Sequence, residues 1–164
     1  MNTNPWIVLA NATHREILIR LLSHIEAEEN PEYPRAEARA STDVRQSLEH
    51  FDVLSSDSTW CLLAFVNEEP VGLALLTRIP KLDGRIGFLY VDELQVLGPW
   101  RRLGIGRALL ERSTALSHEL GLAGVRLLAR IDNAPARSLY EQFGFHGGET
   151  MLYQYLLDRE NAES

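Results

Sequence analysis

Apolar residues along this chain change their spacing several times, and each change marks an element. Residues 6–10, Trp-Ile-Val-Leu-Ala, are a run of β-formers that predicts a first strand. Thr13-His14-Arg15-Glu16 has the form of a capping box, with Thr13 as N-cap and Glu16 reaching back. Ile17, Leu18, Leu21, Leu22 and Ile25 follow at helical spacing, so a helix is expected to reach about Glu29, before Pro31 and Pro34 stop it. Residues 30–40 read as a loop or short turn. Asp43 with Gln46 predicts a second helix start, with Val44, Leu48 and Phe51 on the buried side. A polar stretch at 55–58 closes that part.

From Trp60 the period becomes that of strands. Runs at 60–66, 71–77 and 86–96 are separated by turn regions at 67–70 and 80–85, which predicts an antiparallel meander. A helix is expected over 103–120, with Ile105, Leu109, Leu116 and Leu120 on one face and Gly121 just beyond its end. A strand at 125–131 comes next. Then Asn133 as cap and Pro135 in the first turn open a helix that runs to Phe143 and ends at Gly144. Residues 151–157 read as a last strand, and the polar tail 158–164 is expected to fray. The order implies an α/β (α+β) fold: a mixed, mostly antiparallel central sheet with helices on its faces.

Length makes this one domain, 1–164, rather than two. The chain is 45% hydrophobic and 24% charged, which disfavours intrinsic disorder. Its 16 basic and 23 acidic residues give a net charge of −7, so nucleic acid and anionic membrane are not expected as partners. The single cysteine, Cys61, excludes an intramolecular disulfide and a Cys-rich zinc module. It lies in an apolar run and is expected to be an inert buried thiol. The first residues lack the basic start and apolar run of a secretory signal, and no apolar run approaches the ~20 residues of a membrane span. A cytoplasmic protein is the expectation. The five histidines show no metal-ligand spacing, so no metal is expected.

Chemistry concentrates in residues 93–110. A long strand leads through Gly98-Pro99-Trp100-Arg101-Arg102-Leu103-Gly104-Ile105-Gly106-Arg107 into a helix. Glycines let a backbone approach a ligand, and a helix start offers unpaired N–H groups and the positive end of a dipole. Together with three arginines these make an anion site suited to a phosphate or pyrophosphate. The run is no Walker A loop, and from Gly104 a dinucleotide fingerprint fails because its sixth position is Leu109. The plain alternative is a glycine-containing loop with surface arginines.

Arg101-Arg102-Leu103-Gly104-Ile105-Gly106, after a strand and before an amphipathic helix, resembles the acetyl-CoA-binding motif of the GNAT superfamily of N-acetyltransferases. Residues 133–145, with Asn133 near the helix start and Tyr140 before Gly144-Phe145, resemble the family's next motif. The two motifs cover roughly residues 90–145, and the first 60 residues carry no specific signature. The resemblance implies acetyl transfer from acetyl-CoA to a primary amine of a small molecule or peptide, by direct attack in a ternary complex. A non-catalytic acyl-CoA-binding sensor or interaction module is the alternative. A homodimer is common in the family.

In residue terms, the resemblance puts the pyrophosphate on Arg101, Arg102, Leu103, Gly104, Ile105, Gly106 and Arg107. It lays the pantetheine arm along the strand at Leu94, Val96 and Leu97, with a backbone N–H polarising the thioester carbonyl. One departure is visible: the family often has proline where Gly98 stands, and here Pro99 follows. Asn133 matches a residue that contacts the cofactor arm; it is equally suited to capping its helix. Tyr140 matches the usual general acid, against the alternative of a residue packed on the sheet.

A base must deprotonate the acceptor ammonium. Asp92 and Glu93 stand in an otherwise apolar strand, where acids are depleted. Adjacent strand residues face opposite ways, so without a bulge only one serves. Glu93 is the first choice, with Asp92 and a water chain as alternatives. Glu26, Glu28, Glu29 and Glu32, with Tyr33 and Tyr90, would form an acidic rim suited to a cationic amine. The competing reading is a solvated helix end.

Overall fold

The computed structural model describes residues 4–157. Of these, the residues up to Arg130 form one compact unit and those from Ile131 a second. The first unit holds strands β1 (Trp6–Leu9), β2 (Thr59–Val66), β3 (Glu69–Pro80), β4 (Gly87–Val96) and β5 (Val125–Leu127), and helices α1 (Arg15–Glu29), α2 (Ala36–His50) and α3 (Ile105–Glu119). The second holds α4 (Ala134–Phe143).

The strands form one sheet in the order β1-β2-β3-β4-β5, antiparallel except for the parallel β4–β5 pair. This is the mixed, mostly antiparallel sheet expected. The β2–β3 turn is the tight two-residue kind, with Asn67 and Glu68 both at positive φ (49° and 67°). Alternation along the strands gives the sheet two apolar faces. Cys61, Leu63, Phe65 and Leu73 meet Leu18, Ile19, Leu21 and Ile25 of α1 and Leu48 of α2. Leu62, Ala64, Ala74, Leu76, Leu89 and Val91 meet Ile105, Leu109 and Leu116 of α3. Helices therefore cover both faces.

Several boundaries differ from the sequence expectation. The first cap is Asn11, not Thr13: Asn11 Oδ1 accepts from the Thr13 N–H at 3.0 Å, and the Asn11 N–H donates to His14 Nδ1 at 3.2 Å. This box opens a 3₁₀ turn at Ala12–His14 that runs straight into α1. Helix α2 begins at Ala36, well before Asp43. Its first turns carry Ala36, Ala38 and Ala40, which favour helix strongly yet leave no stripe of large apolar residues to read. Phe51 lies past the end of α2 and is exposed. Strand β5 stops at Leu127 instead of Ile131.

Residues 151–157 form no strand ladder among the described residues, and Met151, Leu152, Tyr153, Tyr155, Leu156 and Leu157 are exposed. Their composition suits a strand, but a strand exists only where a partner supplies the hydrogen bonds. The tail 158–164 lies outside the described residues. Among the described residues no helix is long and apolar enough to cross a membrane.

Candidate active site

The candidate site is built on β4. Its pairing with β5 covers only Leu89, Tyr90 and Val91. Beyond Val91, no described strand lies on the side of β4 away from β3. The Leu97 N–H donates to the Val71 carbonyl at 2.9 Å, toward β3. Because backbone groups alternate in an antiparallel ladder, those of Val96 and Leu94 point the other way, onto the open edge. The Val96 carbonyl there accepts from Arg101 Nε at 2.8 Å. An extended ligand with amide groups fits such an edge as an added strand.

The edge leads to the start of α3. A 3₁₀ turn at Gly98–Trp100 intervenes. Arg102 and Gly104 then take left-handed backbone conformations, with φ 64° and 84°. Gly104 is the N-cap of α3, has no side chain with which to cap, and no acidic residue sits in the first turn. The first N–H groups of α3, including those of Ile105 and Gly106, therefore lack an intrahelical acceptor. Arg101, Arg102 and Leu103 are exposed beside this end, while Ile105 is buried beneath it. Arg107 is one turn along and its Nε donates to Glu111 at 3.1 Å. Uncapped donors, a helix dipole and arginines give this end the character of a diphosphate site.

A bulge sets the acid chemistry. Leu76 pairs with Val91 and Leu75 with Glu93, so Asp92 is an extra residue in β4. The bulge inverts the alternation. Glu93 falls in one row with Leu75 and Cys61, on the face covered by α1. Leu94 and Val96 pack with the α3 face. Partial burial, with Asp92 and Glu29 nearby, pushes the Glu93 carboxyl above its ordinary range. Burial, with Asp92 again contributing, raises the Tyr90 phenol.

The other glutamates of the expected rim divide. Glu28 Oε2 accepts from the Gly98 N–H at 2.8 Å, a contact that the sequence reading missed. Glu26 accepts from Asn30 Nδ2 at 2.8 Å. Glu26 and Tyr33 also line a cleft of about 290 Å³ with Arg39 and Asp43. Among the described residues no group of three or more His, Cys, Asp or Glu could hold a metal.

In the second unit, Asn133 Oδ1 accepts from the Ala136 N–H at 3.2 Å, so Asn133 caps α4 as its position suggested. Its amide nitrogen is a donor of the kind a ligand carbonyl would take. Gly144 ends α4 with φ 116°. Tyr140 is half-buried, meets Phe145 edge-on at 5.9 Å, and its phenol is raised by burial, so it carries its proton at neutral pH.

The model of the Acetyltransferase (GNAT) family matches residues 21–145. An N-alpha-acetyltransferase of Sulfolobus acidocaldarius is 36% identical over 92 residues, which are 56% of this chain and 52% of that protein. The chain thus spans about half the length of the curated relatives it matches. An aminoglycoside acetyltransferase from an uncultured soil metagenomic sample, solved with sisomicin, superposes with a TM-score of 0.74 at 17% identity, over 94% of this chain and 97% of that one. The aminoglycoside N-acetyltransferase AAC(6′)-Iy, solved with CoA, gives 0.71 at 15% identity, over 93% and 95%. At these identities the likeness of the structures is one of fold.

Proposed function

Because the chain belongs to the GNAT acetyltransferase family, we propose that it moves an acetyl group from acetyl-CoA to a primary amine by direct attack in a ternary complex. The observation that carries this reading is the continuity of two features: the open edge of β4 at Leu94 and Val96, and the uncapped start of α3 at Gly104. An amide-bearing arm joined to a diphosphate matches that order of strand edge and anion site.

Bound acetyl-CoA would supply the activated thioester. The chain's own groups do the rest. Arg101, Arg102 and the N–H groups of Ile105 and Gly106 hold the diphosphate, with Leu103, Gly104 and Arg107 shaping that end. The outward N–H and C=O groups of Leu94 and the outward N–H of Val96 bond the arm, and an outward N–H draws charge toward the thioester oxygen. Leu97 anchors the edge through its bond to Val71. Asn133 is assigned a cofactor contact by the resemblance of residues 133–145 to the family's motif, and its amide nitrogen is the donor it has to offer.

Glu93 takes the proton from the incoming ammonium. Its raised carboxyl makes it a stronger base than an ordinary glutamate, although a Lys-like amine near pKa ~10.4 still binds its proton more tightly. Asp92 is the rival base, directly or through water. Tyr140 keeps its proton in the ground state, and the family's motif assigns it the role of acid toward the departing sulfur. A free thiol titrates near ~8.5, so this is stabilisation rather than an obligatory full transfer. Glu29, Asp92 and Glu93 place negative potential on the acceptor side, which favours a cationic amine, whether small molecule or peptide. The N-alpha-acetyltransferase and aminoglycoside acetyltransferase relatives are consistent with both kinds.

Acetyl-CoA calorimetry combined with thiol release over a panel of amines tests the reading. Saturable binding with release on an amine is expected. Tight binding with no release on any amine would favour a non-catalytic acyl-CoA sensor, and no binding would overturn the cofactor assignment.

A further inference from the structure

Glu28 is misplaced by local rules. It stands in the last turn of α1 beside Glu26 and Glu29, with no basic residue in that turn. The negative end of a helix disfavours such a cluster. The compensation is tertiary. Glu28 Oε2 accepts from the Gly98 N–H at 2.8 Å, across a separation of 70 residues.

Gly98 opens the 3₁₀ turn that follows β4, and Leu97 before it provides no side-chain cap. Pro99 has no N–H, and the Trp100 N–H already donates to the Leu97 carbonyl. The Gly98 donor is thus the one Glu28 takes at the start of this turn. The approach is close: a Cβ on Gly98 would lie 3.4 Å from Glu28 Oε2. Two residues back, Val96 presents its carbonyl on the open edge, and three residues on, Arg101 reaches back to that carbonyl. The exit of β4 is therefore held from two directions.

The backbone here would also accept proline. Leu97 has φ −53° and ψ 140°, the extended conformation of a residue before proline. Position 98 begins a helical turn, where proline fits. Proline would stiffen the turn but delete the N–H that Glu28 uses. Glycine leaves the turn loose and keeps the donor.

We propose that Glu28 is a positioning residue: its carboxylate, through the Gly98 N–H, fixes the exit of β4 against the end of α1 and thereby holds the Leu94–Val96 edge and Arg101 in the geometry that receives acetyl-CoA. The inference rests on the cofactor reading given above. It assigns Glu28 to the cofactor side through a hydrogen bond, not to the acceptor rim through its charge.

The test begins without cofactor. In the wild type, the Gly98 amide proton should be protected from exchange and shifted downfield. Both signatures should vanish in Glu28→Ala. Acetyl-CoA calorimetry is then compared across variants whose melting temperatures match. Glu28→Ala should weaken binding about tenfold. Glu28→Gln, which keeps an acceptor oxygen, should restore it to within about twofold of wild type. In a Gly98→Pro background, Glu28→Ala should have no further effect.

An unprotected Gly98 amide in the wild type would overturn the contact. Equal acetyl-CoA affinity of wild type and Glu28→Ala would overturn the positioning role. Loss in Glu28→Gln equal to that in Glu28→Ala would assign the effect to charge and overturn the hydrogen-bond account. If the Gly98 signatures hold but the wild type binds no acetyl-CoA, the cofactor reading fails and the proposed role goes with it, while the contact stands.

Discussion

Glu93 lies directly across the sheet from Leu75, a pairing that exists because Asp92 is squeezed out of the ladder between Val91 and Glu93. Without the bulge, Asp92 would occupy the α1 face and Glu93 would point toward α3. With it, the glutamate joins the row of Leu75 and Cys61, near Glu29 in the last turn of α1.

That placement makes activity depend on pH in a definite direction. A base works ionised, and burial, Asp92 and Glu29 all raise the Glu93 carboxyl. The acid limb of the kcat profile should therefore lie above the range of an ordinary glutamate. Asp92→Asn, which removes one repelling charge, should move the limb to lower pH. An unshifted limb would remove Glu93 from the role of base. Stability runs oppositely. A carboxyl raised in the folded state contributes stability below its unfolded pKa, near ~4.3, and loses it as pH rises through the folded value. Glu93→Gln should accordingly be more stable than wild type at neutral pH, with the gain disappearing in acid, as urea titrations at several pH values would show.

Gly104 separates backbone strain from ligand loss. A Cβ there would meet nothing within 4 Å, yet φ is 84°. Gly104→Ala should cost roughly 1 kcal/mol from the left-handed conformation alone, a fall in Tm of about 2–4 °C. Gly104→Glu should in addition abolish acetyl-CoA binding, because its carboxylate would occupy the uncapped donors of α3. Normal acetyl-CoA binding by Gly104→Glu would refute the anion site.

Tyr140→Phe keeps the ring that meets Phe145 and removes the hydroxyl. Acetyl-CoA affinity and melting temperature should stay at wild-type values while kcat falls by about 10²-fold, the lower range for general acid catalysis. Unchanged kcat would leave Tyr140 as a packing residue.

Cys61 is buried, and burial with the charge of Glu93 nearby pushes its thiol up to about 12. At pH 8 only about one molecule in ten thousand would carry the thiolate. Aromatic disulfide reagents should leave native protein unmodified and label one thiol per chain in denaturant. Rapid labelling of the native protein would contradict the packing of β2.

The residues divide by the range of the interactions that place them. Helix α3 and its glycine-bearing entry were legible because the determinants are contiguous: Arg101 to Gly104 form a loop by local conformation, and Ile105, Leu109 and Leu116 repeat at helical spacing. The cap of α4 by Asn133 and its stop at Gly144 are likewise short-range effects. Helix α2 escaped because Ala36, Ala38 and Ala40 carry propensity without pattern. The first cap shifted because His14 answers Asn11, a competitor to Thr13 two residues away.

Everything that depends on a partner distant in the chain needed the tertiary structure. The sequence by itself determined where an anion site could form, that acids interrupt the β4 run, and that strands at 60–96 make a meander. It did not determine which of Asp92 and Glu93 faces α1, because one bulged residue inverts the alternation of every side chain after it. Nor could it pair Glu28 with Gly98, whose hydrogen bond spans 70 residues. For 151–157, strand-like composition did not decide pairing, since β-structure is held by hydrogen bonds to another strand and not by the segment itself.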